Sequence, residues 1–414
     1  MSKELDCKFS LKCQISNSSK TEGVINLGNL PPVNDFVSIG KILKKQETYP
    51  ANLLYFPKSG LAQLSIVINK KILFPKEYPY TSSTTKVLRE NFQDLFLEIK
   101  NRFNFNKNDL VIDIGSNDGN LLQNFKKNYK VLGITPEDIG RVAIKNGIPT
   151  ILDYFNKKTV KKILKNYGTA KIITATNVFA HIDNVNTVLK LIKEILHKDG
   201  IFVSESHYFY SLLEEVQYDT IYHEHLRYYS LTSLYYLFKK FNLEIINVKK
   251  IKTHGGSIRV YAAYKGKYKV ENIVKKILIQ EKRNINLKKF LLFKKKVILS
   301  KTGLIKIIYD IINKKKNKIA GIGAPSRAAT LINYVGLDHE LITCVFEIKG
   351  SSKIGKYMPG TIIPVYEEKI KNLKKFEYLI VFSWHIYKEI IKNLKKKGYK
   401  GKFIIPLPYP RIIS

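Results

Sequence analysis

The stretch "DTIYHEHLRYYSLTSL" (219–234) sets His223 and His225 around Glu224, with Tyr222, Tyr228 and Tyr229 close by. Residues of these types at this density suit three kinds of chemistry. Histidine exchanges protons near neutrality, a carboxylate orients a partner, and tyrosine donates a hydrogen bond, so one reading is an acid/base cluster. Two histidines and a glutamate in three positions could instead hold a divalent metal, although so short a spacing leaves the remaining ligands unidentified. The third reading is a hydrogen-bonded polar patch of core.

A second stretch, "VIDIGSNDGNLL" (111–122), is built to meet a ligand with its backbone. A hydrophobic strand ends in Asp113, turns at Gly115 and reaches Gly119 just before a helix. Glycine permits close approach, and a helix N-terminus offers free amides. The spacing is not the G-x-G-x-x-G of dinucleotide binders. It resembles the first motif of the class I S-adenosylmethionine-dependent methyltransferases. That resemblance implies cofactor contacts from Asp113, Gly115, Ser116, Asn117, Asp118 and Gly119, joined by Asn177 further along the chain. The second strand of such domains commonly ends in an acid that takes both ribose hydroxyls. Here "GITPE" puts Thr135 at that position, with Glu137 two residues on.

Positioning these residues takes a sheet. Strands are expected over 109–115, 130–136, 149–155, 171–182 and 200–206, separated by segments long enough for crossover helices. This alternation predicts an α/β fold with a mostly parallel sheet and helices on both faces. The first seventy-five or so residues read as short strands and turns, with "LGNLPPVNDF" (27–36) a Gly/Pro-punctuated loop. "THGGSIRVYAAY" (253–264) is a further strand, with Ser257 and Arg259 on one face. Arg259 is placed either to pair with a diphosphate or to form a structural ion pair. Residues 266–316 are lysine-rich and amphipathic, most simply one or two connecting helices. "GIGAPSRAAT" (321–330) then opens a second α/β unit, where Ser326, Arg327 and the helix amides suit an anion.

Composition narrows the class. The chain has 414 residues, 44% hydrophobic, and no apolar run long enough for a membrane span or a signal peptide. A soluble cytoplasmic protein is expected, with Cys7, Cys13 and Cys344 too few for a disulfide framework. A net charge of +37 invites nucleic acid, yet only eight of the 71 basic residues are arginine and the lysines are spread throughout. Bidentate readers of phosphate and bases favour arginine, so the charge points to anionic small molecules rather than to nucleic acid.

Over nearly its whole length the chain resembles the sugar C-methyltransferases that act on nucleotide-linked deoxy-keto-sugars. The resemblance is carried by "IDIGSNDGNLL", "NVFAHIDNV", "DTIYHEHLRYYSLTSL", "HGGSIRVYAA", "GIGAPSRAATLINYVG", "GKYMPGTIIPV" and "FIIPLPYPR", in that order. It implies three parts: a small N-terminal domain (1–75), a methyltransferase domain (76–265) followed by the helical connector (266–316), and a C-terminal Rossmann-like domain (317–414). It implies S-adenosylmethionine as cofactor, a nucleotide-diphosphate sugar as substrate, and a monomer or weak homo-oligomer. The chemistry is methyl transfer to a carbon beside a ketone, which needs a base for the C–H proton and donors for the enolate. By the "YHEH" pattern His225 is the general base, with Tyr222 and Glu224 lining and orienting the sugar. His181 hydrogen-bonds a sugar oxygen, and Tyr80, or Tyr78 beside it, completes the catalytic set. His197 and His207 match no motif. The alternatives are a fold that binds a nucleotide sugar or RNA without chemistry, and methylation of another anionic metabolite.

The N-terminal domain departs from the family. There it resembles a zinc module with two cysteine pairs, whereas here only Cys7 and Cys13 remain, and Phe56 and Ser59 hold the second pair's place. Two thiolates bind zinc poorly, so no metal is expected, and Phe56 is expected to fill the space.

Overall fold

The computed structural model describes residues 6–41, 46–74, 85–315 and 318–414. Tyr78 and Tyr80 lie outside the described residues. The central sheet has seven strands: β1 (Leu110–Ile114), β2 (Lys130–Ile134), β3 (Thr150–Ile151), β4 (Ala170–Thr176), β5 (Leu196–His207), β6 (Leu243–Ile251) and β7 (Ser257–Tyr264). Their order is β3-β2-β1-β4-β5-β7-β6, parallel except that β7 runs against both neighbours. Because helices cover both faces, β1 is buried along its whole length and apolar apart from Asp113.

Three expected strands have different limits. β4 stops at Thr176 because Asn177 turns left-handed at φ 56°. β3 is two residues long, since Asp153 bonds its neighbour Tyr154 N and Asn156 caps the helix Lys157–Asn166. β5 begins four residues early, past a break in its pairing with β4. The connector forms two helices, Asn272–Asn284 and Leu287–Lys315.

In the N-terminal part, strands Glu22–Leu30, Tyr49–Phe56 and Leu61–Leu64 form an antiparallel sheet whose fourth strand, Arg227–Tyr228, comes from the histidine-rich segment. Phe56 is fully buried in a core with Cys13, Leu54 and Leu61, which continues into Tyr208, Tyr229 and Leu231 of the central part. The C-terminal sheet runs Val365–Glu367, Val345–Glu347, Ile319–Ile322, Tyr378–Val381, Lys402–Ile405 and Arg411–Ile413, parallel but for the last strand. Both α/β units are doubly wound. Among the described residues no helix is long and apolar enough to cross a membrane.

Candidate active site

Ligands of doubly wound sheets sit beyond the carboxyl ends of the strands, where the strand order reverses, which here is between β1 and β4. The loop after β1 passes through Gly115 at φ 77°, and a Cβ there would lie 2.7 Å from Val178 Cγ2, just past β4. Gly119, also at φ 77°, opens the helix Asn120–Phe125. Ser116 is buried with its hydroxyl unpartnered, Asn117 is left-handed at φ 49°, and Asp118 accepts from the Asn120 amide at 3.2 Å. Thr174 Oγ1 donates to Asp113 Oδ1 at 2.7 Å, yet burial, reinforced by Glu205, pushes the Asp113 carboxyl up to about 7. At the end of β2, Thr135 is fully buried and its hydroxyl donates to Glu137, so the missing acid is returned to that strand end from two residues away. A backbone cradle with no room for a Cβ, a spare hydroxyl and a carboxylate at the second strand suit an adenosyl amino acid.

Across the cleft the histidines cluster. His181 and His225 have ring centroids 5.0 Å apart, His225 and His207 5.6 Å, and His207 and His254 6.0 Å. Tyr222 lies against the His225 ring at 4.2 Å, and Tyr228 meets its edge at 6.0 Å. The Thr220 carbonyl lies 3.0 Å from His225 Nδ1. A carbonyl only accepts, so Nδ1 carries the proton and Nε2 keeps the lone pair. Burial, then the neighbouring His181, holds His225 well below its ordinary value, so the ring is neutral at pH 7. His181 is neutral by the same burial and gives its Nδ1 proton to the Glu224 carbonyl at 2.6 Å. A carbonyl only accepts, so the His181 proton is likewise on Nδ1.

The remaining members of the motif face other ways. His223 Nε2 donates to the Tyr49 carbonyl at 3.1 Å and so fastens the N-terminal sheet, and burial lowers it to about 4. Glu224 is buried, with Oε1 accepting from Asn34 Nδ2 at 2.7 Å. Among the described residues no group of three or more His, Cys, Asp or Glu side chains is placed to hold a metal ion.

Two expectations need correction. Arg259 is fully buried, its guanidinium shared among Glu205, Glu98 and Asp94, the last at 2.9 Å, with Asn91 Oδ1 also at 2.9 Å. It is a structural ion pair and is closed to a diphosphate. Ser257, also buried, spends its hydroxyl on the Thr253 carbonyl at 3.1 Å. Ser326 and Arg327 do reach the cleft, but both already have protein partners. Ser326 Oγ donates to Asn34 Oδ1 at 3.1 Å. Arg327 Nε lies 2.9 Å from Asp219 Oδ2, off the hydrogen-bonding line, and its guanidinium stacks over Trp384 at 4.9 Å. Arg327 Nη1 donates to His385 Nδ1 at 2.9 Å, leaving His385 Nε2–H as a donor.

Asn34, His207, His254, Lys353 and His385 escape the sequence reading. His207 Nδ1 and His254 Nε2 are buried and without a protein partner. Lys353 Nζ donates to the Ala324 carbonyl at 2.7 Å, and burial lowers it despite Glu347 and Glu224 nearby. Asn34 sits in a loop readable only as punctuation, and His254 stands in the quoted "HGG" with nothing to mark its direction.

Comparison with known proteins gives three models in chain order. Residues 13–74 match a putative zinc binding domain, 84–248 a methyltransferase domain, and 252–408 a C-methyltransferase C-terminal domain. The C-methyltransferase NovU of Streptomyces niveus is 28% identical over 412 residues, covering 97% of each chain. Among solved structures, an S-adenosylmethionine-dependent methyltransferase from Clostridium acetobutylicum is 16% identical and covers 44% of this chain and 94% of its own, with TM-score 0.34. One from Anabaena variabilis is 18% identical and covers 44% and 86%, with TM-score 0.35. The residues around Cys13 do not suit the metal that the first of these models names. Cys13 Sγ is fully buried and hydrogen-bonded at 3.1 Å with Ser59 Oγ, and Phe56 fills the core beside it.

Proposed function

We propose that the chain is an S-adenosylmethionine-dependent C-methyltransferase whose substrate is a nucleotide-diphosphate-linked deoxy-keto-sugar, methylated at a carbon beside the ketone. The observation that carries this reading is the tautomer of His225. With Nδ1 held by the Thr220 carbonyl and charge disfavoured by burial, Nε2 is a fixed, neutral base facing the cleft. A C–H beside a ketone is a weak acid, and such a base is what its removal requires. S-adenosylmethionine, when bound, supplies an electrophilic methyl group.

The chain's own side chains do the rest. The loop Asp113–Gly119 would take the methionine part of the cofactor, with Glu137 at the ribose and Asn177 on the β4 side. His225 Nε2 takes the carbon's proton and holds it as an imidazolium, while the Thr220 carbonyl keeps the ring from turning. Tyr222, neutral because burial raises its phenol well above the ordinary value, donates to the developing enolate oxygen. Glu224 orients the sugar, and His181 accepts from a neighbouring hydroxyl. Buried walls keep water from competing for the proton and the methyl group. At the C-terminal side, His385 and Lys353 add to Arg327 the polarity that suits an anionic diphosphate.

The test is incubation with S-adenosylmethionine and a panel of nucleoside-diphosphate keto-deoxyhexoses in deuterated water, read by mass spectrometry. One sugar should gain a methyl group, and its acidic carbon should exchange. His225→Ala should lose about a hundred- to ten-thousand-fold in rate while keeping cofactor affinity. Exchange that persists in that variant would assign the base elsewhere, and a panel untouched by wild-type protein would remove the sugar.

A further inference from the structure

Residues 31–39 of the N-terminal part lie across the C-terminal domain as a strap. Val37–Ser38 pairs antiparallel with Lys356–Tyr357, Ile39 N donates to the Gly355 carbonyl at 2.9 Å, and Lys353 Nζ sits over the Phe36 ring at 5.4 Å. In the middle of the strap one amide meets both other parts of the molecule. Asn34 Nδ2 donates to Glu224 Oε1 at 2.7 Å, and Asn34 Oδ1 accepts from Ser326 Oγ at 3.1 Å. The orientation of this amide follows from its partners, because a carboxylate only accepts and must therefore face the NH2 group. Glu224 belongs to the histidine-rich segment and Ser326 opens the C-terminal helix Ser326–Val335, so the chain of bonds spans 190 residues on one side and 292 on the other.

We propose that Asn34 is a positioning residue for the reaction. It fixes the plane of the Glu224 carboxylate, and it does so only while the strap is seated on Ser326, so the sugar side of the site is complete only when all three parts have closed. The physical basis is reciprocal. Ser326 orients Asn34 by giving its hydroxyl proton to Oδ1, which polarises the NH2 group toward Glu224. Removal of either link weakens or removes the hydrogen bond that Oε1 accepts in a buried place, and a displacement of about 1 Å in a catalytic array can cost about a hundredfold. The proposal rests on the C-methylation reading for what Glu224 touches, whereas the link itself is independent of it.

Two measurements test it. In the full chain without sugar, Asn34→Ala and Ser326→Ala should both speed hydrogen exchange across 31–39 and 219–226 and leave β1 and β4 protected. With whichever sugar wild-type protein methylates, Asn34→Ala should lower kcat about ten- to a hundredfold, with S-adenosylmethionine affinity and sugar KM near wild type. Ser326→Ala should lower it less, Ser326→Thr should restore it, and the double variant should be no worse than Asn34→Ala alone. Unchanged exchange in both variants, an unchanged kcat, losses that multiply in the double variant, or a loss confined to KM would each overturn the proposal. A wild-type protein that methylates no sugar fails the functional reading instead, and the exchange measurement still decides the link.

Discussion

The nitrogen that can act as base is decided by a carbonyl five residues upstream of His225, and the same burial that makes it a base has a consequence for stability. His181, His207, His223, His225, His254 and His385 are all held below their ordinary value, in each case by burial first. Below about pH 6.5 the unfolded chain protonates these rings while the folded chain does not, so it binds more protons and stability falls as pH falls. Asp113 and Asp219 act with the opposite sign, because burial raises their carboxyls and the folded state takes those protons first. Six histidines outweigh two carboxyls. The thermal midpoint should therefore be level above about pH 7 and decline steadily toward about pH 5. A midpoint that is flat or rising over that window would mean the rings are solvated. "YHEH" shows the residue types in the sequence, but which ring nitrogen is spent on a carbonyl depends on how 219–228 folds against Tyr49 and Ala180.

Elements were legible where their pattern was regular. β1, β2 and β4 show in the sequence because a sheet covered on both faces needs continuous apolar runs. β6 was missed because its pairing with β7 shifts between Ile245 and Asn247, which breaks the alternation a strand is recognised by. The turn after β1 was legible from its glycines, and the structure supplies the reason for them. A residue at position 115 meets both a positive φ and Val178 at 2.7 Å, so two independent penalties fall on any side chain there. Gly115→Val, β-branched and thus least tolerant of φ 77°, should abolish S-adenosylmethionine binding in calorimetry while β1 stays in the sheet. Cofactor affinity equal to wild type in that variant would move the cofactor away from this loop.

The whole molecule is assembled by exchange of short segments between sheets, and this bears on whether the N-terminal part needs a metal. Arg227–Tyr228 completes the N-terminal sheet from within the histidine-rich segment, with Arg227 buried and its Nη1 donating to the Ile182 carbonyl at 2.5 Å. His223 ties the same sheet at Tyr49, and Phe56 and Cys13 pack into a core shared with Tyr208 and Tyr229. Contacts of this kind do what a structural zinc does for a domain that cannot build its own core. Among the described residues no three thiolates, carboxylates or imidazoles are placed to hold a metal ion, and Cys13 is hydrogen-bonded to Ser59 instead. Protein purified without chelators should therefore carry well under one equivalent of zinc, and a chelator should leave its thermal midpoint in place. Cys13→Ser keeps a hydrogen-bonding group of similar size and should cost about 1 kcal/mol, against the roughly 10 kcal/mol or more that loss of a structural zinc would remove. Phe56→Ala should cost more than Cys13→Ser, about 3–5 kcal/mol, because it opens a cavity where the N-terminal and central parts share a core. The reverse order of those two losses, together with one equivalent of zinc per chain, would show that the domain is held by metal.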